Sequence, residues 1–435
     1  MEQREPVEHE GGLRASWRLL RSNPDFRRLY LASVISLGGD WFLLVALFGL
    51  VLHFTHSGVA VAFVLAAQDL TWFLVSPLAG VLADRLDRRK LMVGADLART
   101  LLVLGFLFAR SASTVWIVFP LMAIVACFSA AFEPASMAAM PNLVEREDLA
   151  TANALSGSVW GTMLAVGAAL GGLVTALLGR DAAIVIDAAS FAASAWLIFR
   201  VRRPFAEPRE AEVHEDLRRA TVETARYARK DHRVLALLAV KFGWGVAGGV
   251  LVVIPILAKH AFHAGDIGIG LLMGARGVGA LIGPFVGRAS LGREDRRLFL
   301  AIGVALTVFG LGYALLGLAP ALALAMPAVA LAHLGGGAQW TLSSYGLQRI
   351  VPDRIRGRIF AFDGMLVTLT FGLSSILTGW LADGVGARNA ALGMGGVAIA
   401  WAAVWSWLTT DVRRATMLEG CGTSPELELV AERVG

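Results

Sequence analysis

The 435-residue chain is 56% hydrophobic and only 17% charged, against about 25% charged in an ordinary soluble domain. That leaves too little charge to clothe the roughly three soluble domains its length would otherwise build, and it excludes a disordered chain. The balance of 39 Lys and Arg against 34 Asp and Glu, a formal +5, is too mild to call for a nucleic-acid partner, and the placement of the charges carries more than their sum.

In chain order, residues 1–28 are polar and charged, and the first apolar run starts near Leu29. It is too long for a signal peptide and no small-residue cleavage site follows it, so it reads as a first membrane span. Twelve runs approach the roughly 20 apolar residues a bilayer-crossing helix needs: near 29–53, 59–83, 91–109, 115–138, 153–178, 182–199, 234–257, 267–287, 298–318, 321–346, 359–382 and 390–409. Arg110 to Thr114 is a short break between runs three and four. The stretch from Glu207 to Arg233 interrupts the pattern. It is charged, with Leu217, Val222, Ala225 and Tyr227 loosely on one face, as in a linker carrying an amphipathic surface helix. The two cysteines, Cys127 in an apolar run and Cys421 in the polar tail, provide neither a disulfide framework nor a zinc site.

The charges set an expected orientation. With the N-terminus inside and the spans alternating, 32 Lys and Arg fall in inside segments and four, Arg110, Arg180, Lys259 and Arg388, fall outside. This is the positive-inside pattern of a plasma-membrane protein with both termini and the linker cytoplasmic. The halves also echo each other. A constant offset of 207 maps Pro77 to Pro284, Gly80 to Gly287, Val144 to Val351, Gly157 to Gly364, Gly172 to Gly379 and Gly179 to Gly386. Two six-helix halves related by an axis along the membrane normal account for such a repeat. The expected organisation is a cytoplasmic segment 1–28, a six-helix half 29–200, a cytoplasmic linker 201–233, a second half 234–409 and a cytoplasmic tail 410–435.

The loop after run two reads Gly80-Val-Leu-Ala-Asp84-Arg85-Leu-Asp87-Arg88-Arg89-Lys90. It resembles the Gly-x-x-x-Asp-Arg-x-Gly-Arg-Arg/Lys signature of the major facilitator superfamily, with Asp87 where that family has glycine. The resemblance covers the whole chain and implies an all-α membrane protein of twelve transmembrane helices in two pseudo-symmetric halves. Gly38-Gly39-Asp40-Trp41, Phe132-Glu133-Pro134-Ala135, the run from Pro141 to Leu149 and the run from Val351 to Arg358 resemble the bacterial branch of macrolide-efflux and siderophore-export (enterobactin exporter-like) proteins. The resemblance implies a conformational latch of Gly80, Asp84, Arg85, Arg88 and Arg89. There Asp84 meets the N-terminus of a neighbouring helix and Arg88 holds a carboxyl at the inner end of span four, for which Glu133 is the candidate. The equivalent position in the second half is Leu291. Gly167 to Gly172 in span five resembles part of an exporter motif, with Ala168 and Met163 at its Pro and upstream Gly, and close helix packing also explains it.

Ionisable side chains within spans are costly and therefore informative. Counted from the nearest inside charge, Asp40, Asp69, Asp187 and Arg276 lie roughly 18–22 Å deep. Asp96, Arg99, Glu133, Lys241 and Asp363 lie shallower, and Asp96 and Arg99, three apart, can pair on one helix. In the family, spans three and six are outer scaffold, which gives Asp187 a packing role. Asp40 and Asp69 are then the candidate proton-coupling acids. Candidate cavity residues are Trp41, Gln68, Trp72, Phe132, Lys241, Trp244, Arg276, Gln339, Trp340 and Tyr345, an apolar lining with a few polar anchors suited to an amphiphilic small molecule.

No phosphate-binding loop, His-Glu-x-x-His or Gly-x-Ser-x-Gly is present. No catalytic site, metal or cofactor is expected. The reading is a secondary transporter of the bacterial inner membrane that exports a hydrophobic or amphiphilic molecule, such as a drug, macrolide or siderophore, in exchange for protons. The alternatives are an importer or a lipid or lysophospholipid transporter on the same fold and, from another class, a polytopic membrane enzyme or signalling protein. The expected partners are the small-molecule substrate, protons and the lipid bilayer, and a monomer suffices for such a fold.

Overall fold

The computed structural model describes residues 12–205, 217–291 and 297–411. Residues 1–11 of the expected N-terminal segment, 206–216 of the linker and 412–435 of the tail lie outside the described residues. Twelve helices are long and apolar enough to cross a bilayer. They satisfy their own backbone hydrogen bonds, as lipid demands. In chain order the helices are α1 (Gly12–Ser22), α2 (Pro24–Thr55), α3 (Gly58–Arg85), α4 (Arg88–Leu104), α5 (Val118–Leu143), α6 (Leu149–Leu178), α7 (Arg180–Phe199), α8 (Leu217–Lys230), α9 (His232–Gly248), α10 (Val253–Ile256), α11 (Gly265–Ser290), α12 (Leu298–Leu318), α13 (Leu322–Ile350), α14 (Asp353–Val385) and α15 (Ala387–Leu408). No strand occurs among the described residues. Several spans run a turn or more past the apolar runs, because their charged ends continue the helix.

Side-chain caps mark where α2, α4 and α9 begin. Asn23 accepts the Phe26 N–H at 2.9 Å, with Pro24 at the first helical position. Its side-chain amide donates to Leu143 O at 2.7 Å, tying the start of α2 to the end of α5. Asp87 accepts the Lys90 N–H at 2.9 Å and caps α4 with φ −60°. The turn after α3 therefore needs no glycine, and an acid there is a gain for the helix that follows. Asp231 caps α9 through the Arg233 N–H at 2.9 Å. Burial pushes the Asp231 carboxyl up, but the hydrogen bonds from Arg233 outweigh it and hold the group below the usual carboxylate range. The break between runs three and four is closed by Thr114 Oγ1, which accepts from the N–H groups of Arg110 and Ser111, each at 3.0 Å.

The repeat is visible in the turns. Gly179, between α6 and α7, and Gly386, between α14 and α15, adopt φ of +86° and +89°. Both sit in the region that an L side chain rarely enters. Each ends one helix and begins the next, so the 207-residue offset reproduces one backbone device twice.

Span seven is irregular. After α9 comes a 3₁₀ turn (Gly249–Val252), then α10, then a π turn (Leu257–Ala261). Pro255 and consecutive glycines at 248 and 249 break the ladder. Ser374 of α14 repairs it, accepting from the Gly249 N–H at 3.2 Å and donating to Val246 O. The linker helix α8 forms as expected but packs through Thr224 and Ala228, with Val222 exposed. Small residues let it lie against α9 and α14.

The chain divides into two compact units, Met1–Val213 with Ala258–Gly277, and His214–Leu257 with Val278–Gly435. In the first, residues 258–277 are held by ions and by close packing. Lys259 Nζ donates to Gly49 O at 2.8 Å and lies 3.3 Å from Asp266 Oδ1, while Arg180 reaches Asp266 Oδ2 at 3.5 Å. Gly172 and Gly270 bring α6 and α11 into backbone contact, and Gly167 and Gly171 do the same for α6 against Gly38 and Phe42 of α2. Close packing accounts for the span-five glycines. In the second unit α12 packs on α13 and α15, and α9 on α14.

Candidate functional site

The charged loop between α3 and α4 is built on backbone carbonyls. Arg88 is buried and donates to Ala83 O at 3.2 Å, Ala138 O at 2.8 Å and Phe205 O at 3.1 Å. Arg89 donates to Arg203 O at 2.9 Å and lies over the Phe205 ring. Asn142 donates to the same Phe205 carbonyl at 2.8 Å. Three side chains from α4 and α5 thus converge on the segment that leaves α7. Arg85 is exposed. The surroundings of Gly80 and the side chain of Asp84 lie outside the described residues. Glu133 is exposed on α5, and the cation acting on it is Arg99.

Arg99 organises the membrane interior of the first unit. It pairs with Asp96, as their spacing predicts, and reaches Ser129 Oγ at 3.3 Å. The rings of Phe132 and Phe191 lie 4.8 and 4.2 Å from its guanidinium carbon. Two aromatic faces and one carboxylate make a buried guanidinium tolerable. Ser194 donates to the second Asp96 oxygen at 2.6 Å. Asp40, on α2, is half-buried, and the charges nearest in effect are Arg99, Asp96 and Glu133.

A second cluster in the same unit surrounds Arg276, which is buried on α11. Its guanidinium lies 5.2 Å from the Trp41 ring and 5.8 Å from the Trp160 ring, and the two indoles meet edge to face at 5.8 Å. Arg276 is also the charge that acts on Asp69, which is half-buried on α3 beside Gln68 and Trp72. Trp160 was not among the sequence candidates. Trp160 is itself partly exposed, beside the buried Gly161 and one turn from the buried Leu164 on α6.

The second unit holds a balanced, buried pair. Lys241 of α9 is bonded to Asp363 of α14, and both are almost fully buried. Lys241 also donates to Ser344 Oγ at 3.0 Å and lies 4.4 Å from the Trp340 ring. Trp340 meets Trp244 edge to face at 5.7 Å, and Trp244 packs on Phe309 and Phe371. The indole N–H of Trp244, like that of Trp41, has no hydrogen-bond partner among the described residues. Gln339 is fully buried with both amide atoms likewise unpartnered. Tyr345 lies apart from this group, with Arg288 at 5.4 Å and Arg349 at 5.9 Å over its ring. Asp363 and Ser344 were missed because their meeting with Lys241 spans more than 100 residues of sequence.

Twelve apolar spans, a repeated half-to-half turn, buried charges on the spans and an indole-lined lysine and arginine define a multi-pass membrane transporter of small molecules. The sequence matches the family model described as transmembrane secretion effector over residues 15–421. The chain therefore belongs to that family, within the major facilitator superfamily, whose members are transporters and not enzymes. Macrolide efflux protein A of Streptococcus pyogenes is 25% identical over 383 residues, 86% of this chain and 92% of that one. BacE of Bacillus amyloliquefaciens, named as a candidate bacilysin exporter, is 25% identical over 360 residues, 81% of this chain and 88% of that one. The match to the uncharacterized transporter YfiS of Bacillus subtilis is partial, 27% over 186 residues, and spans 42% of this chain and 44% of that one. Among solved structures, a bacterial homologue of the human lysosomal transporter Spinster, inward-facing and unoccupied, aligns with a TM-score of 0.68 at 15% identity, covering 92% of this chain and 98% of that one. It shares the fold.

Proposed function

We propose that this transporter exports an amphiphilic small molecule from the bacterial cytoplasm across the inner membrane, driven by the proton gradient. The observation that carries the reading is the acid excess inside the first unit. In the middle of its spans, seven or more residues from either end, lie Asp40, Asp69, Asp96, Glu133 and Asp187, against Arg99 and Arg276. Ionised carboxyls in such surroundings are costly, so an interior with more acids than bases holds protons that a transport cycle can exchange. The efflux relatives support the direction. The indoles and the unpartnered Gln339 amide support a substrate with a large apolar body and a few polar groups.

Within this reading Asp40 and Asp69 carry the exchanged proton. Asp84, with Arg85, Arg88 and Arg89, latches the halves when the cytoplasmic side is closed. Both termini and the linker are cytoplasmic, so strong labelling of a cysteine at position 215 by an impermeant reagent outside intact cells would overturn the orientation. Proteoliposomes with an imposed pH gradient test the coupling. Asp40→Asn or Asp69→Asn should abolish uphill movement and spare downhill exchange. If both variants concentrate substrate like wild type, neither residue carries the proton.

A further inference from the structure

Asp187 was expected to serve only as a packing residue on an outer helix, and its surroundings say more. It is fully buried in α7. Ser190 Oγ donates to its Oδ1 at 3.2 Å, while its Oδ2 has no hydrogen-bond partner among the described residues. Facing it across the helix contact is Gly39 of α2, where even a methyl group would collide with Asp187 Oδ1 and Ser190 Oγ. A glycine at this point lets the carboxyl reach the α2 backbone beside Asp40, the next residue. Asp40 acts electrostatically on Asp187, and Arg99 acts on both.

We propose that Asp40 and Asp187 form a carboxyl pair that holds one proton between them, with Asp187 as a positioning residue that acts through Asp40. The proposal rests on the proton-coupled reading and deepens it. A buried carboxylate with an unpartnered oxygen is unfavourable. A proton on Asp187 Oδ2 turns that acceptor into a donor, and in the proposed pair the acceptor is Asp40, the residue after the Gly39 backbone on which the Asp187 carboxyl packs. The reverse state, with the proton on Asp40, leaves Asp187 charged in the less polar position. Two acids so placed do not ionise together, because each charge raises the cost of the other.

The other groups around the pair do not dissolve it. Arg99 of α4 is held by Asp96, Ser129 and two phenyl rings. α5 contributes Glu133, and α3 contributes Asp69, whose acting charge is Arg276 of α11. α6, which packs on both α2 and α7, carries no ionisable side chain from Leu149 to Leu178. The pair therefore has a store, Asp187, sealed within the bundle, and a half-buried member, Asp40, through which the proton leaves.

Infrared titration of the purified full-length protein in nanodiscs tests this without any substrate, by following the carbonyl stretch of protonated carboxylic acid. In wild type, the protonated-acid signal at neutral pH should include a band from this pair, apart from any other buried acid, that disappears on alkaline titration. In Asp187→Asn, Asp40 loses its like-charged neighbour and gains an amide donor, so its proton should leave at least about one pH unit lower, a tenfold change. Asp40→Asn, which changes the half-buried member, should displace the same band, and the double variant should lack it. A band and midpoint in Asp187→Asn identical to wild type would overturn the pair. So would an Asp40→Asn spectrum indistinguishable from wild type, which keeps the test decisive if the Asp187 variant does not fold. Displaced bands without gradient-driven transport would sink the coupling reading and leave the pair standing. Gradient-driven transport with undisplaced bands would sink the pair alone.

Discussion

The two units treat buried charge in opposite ways. The first carries five carboxyls and two guanidiniums in the middle of its spans, with Asp96 bonded to Arg99 and aromatic rings over both guanidiniums. The second sets one lysine against one aspartate and wraps the pair in aromatic rings. A balanced buried pair is neutral overall and gains most from staying together. An acid-rich cluster cannot be neutral unless it binds protons or another cation. One unit thus carries spare acids in its spans, and the other carries a buried pair whose charges cancel. The difference lies in side-chain bookkeeping and not in helix architecture, since both units reuse the glycine turn at 179 and 386.

The largest expected effect comes from opening the balanced pair. Lys241→Met or Asp363→Asn alone should destabilise the protein by about 3–5 kcal/mol, because each leaves its partner buried without counter-charge. The double variant Lys241→Met with Asp363→Leu should recover most of that loss. Thermal unfolding in detergent reads all three, and additive losses in the double variant would show that the pair is not a unit.

A second contrast concerns the loops. Asp84 in the first unit corresponds by the 207-residue offset to Leu291 in the second, which is buried. Asp84→Asn should lower transport while membrane abundance stays near wild type. Leu291→Asp should lower abundance instead, by burying an acid. Unchanged transport kinetics in Asp84→Asn would remove the latch from this loop.

The smallest effect separates the two cation–aromatic clusters. Trp41→Leu removes an indole from Arg276, and the substrate Kd should rise by roughly 2- to 30-fold, the range of a cation–aromatic contact worth about 0.5–2 kcal/mol. Trp340→Leu should do less, because Asp363 already neutralises Lys241. Equilibrium binding of a transported substrate decides it, and the reverse order would show that the second unit recognises substrate more strongly than the first.

The span count and the helical class were legible because hydropathy is a local property. A bilayer leaves helices as the only economical form for a 20-residue apolar run. The match of Gly179 to Gly386 was legible because an offset repeats it, though not that both make turns, and the Asp96–Arg99 pair because a three-residue spacing fixes neighbours on a helix. The partners of the remaining charges were not. Lys241 and Asp363 stand 122 residues apart, Arg276 finds Trp160 from another half of the sequence, and Asp187 meets the Gly39–Asp40 backbone only because α2 packs on α7. Counting depth along single helices ranked these residues by distance from the membrane surface. It could not tell which face each presented to which neighbour. The sequence by itself determined the medium, the number of crossings and the stock of buried charge. Tertiary packing decided which of those charges found a partner and which did not, because electrostatic pairing in lipid depends on separations of a few ångströms between helices that the chain order does not encode.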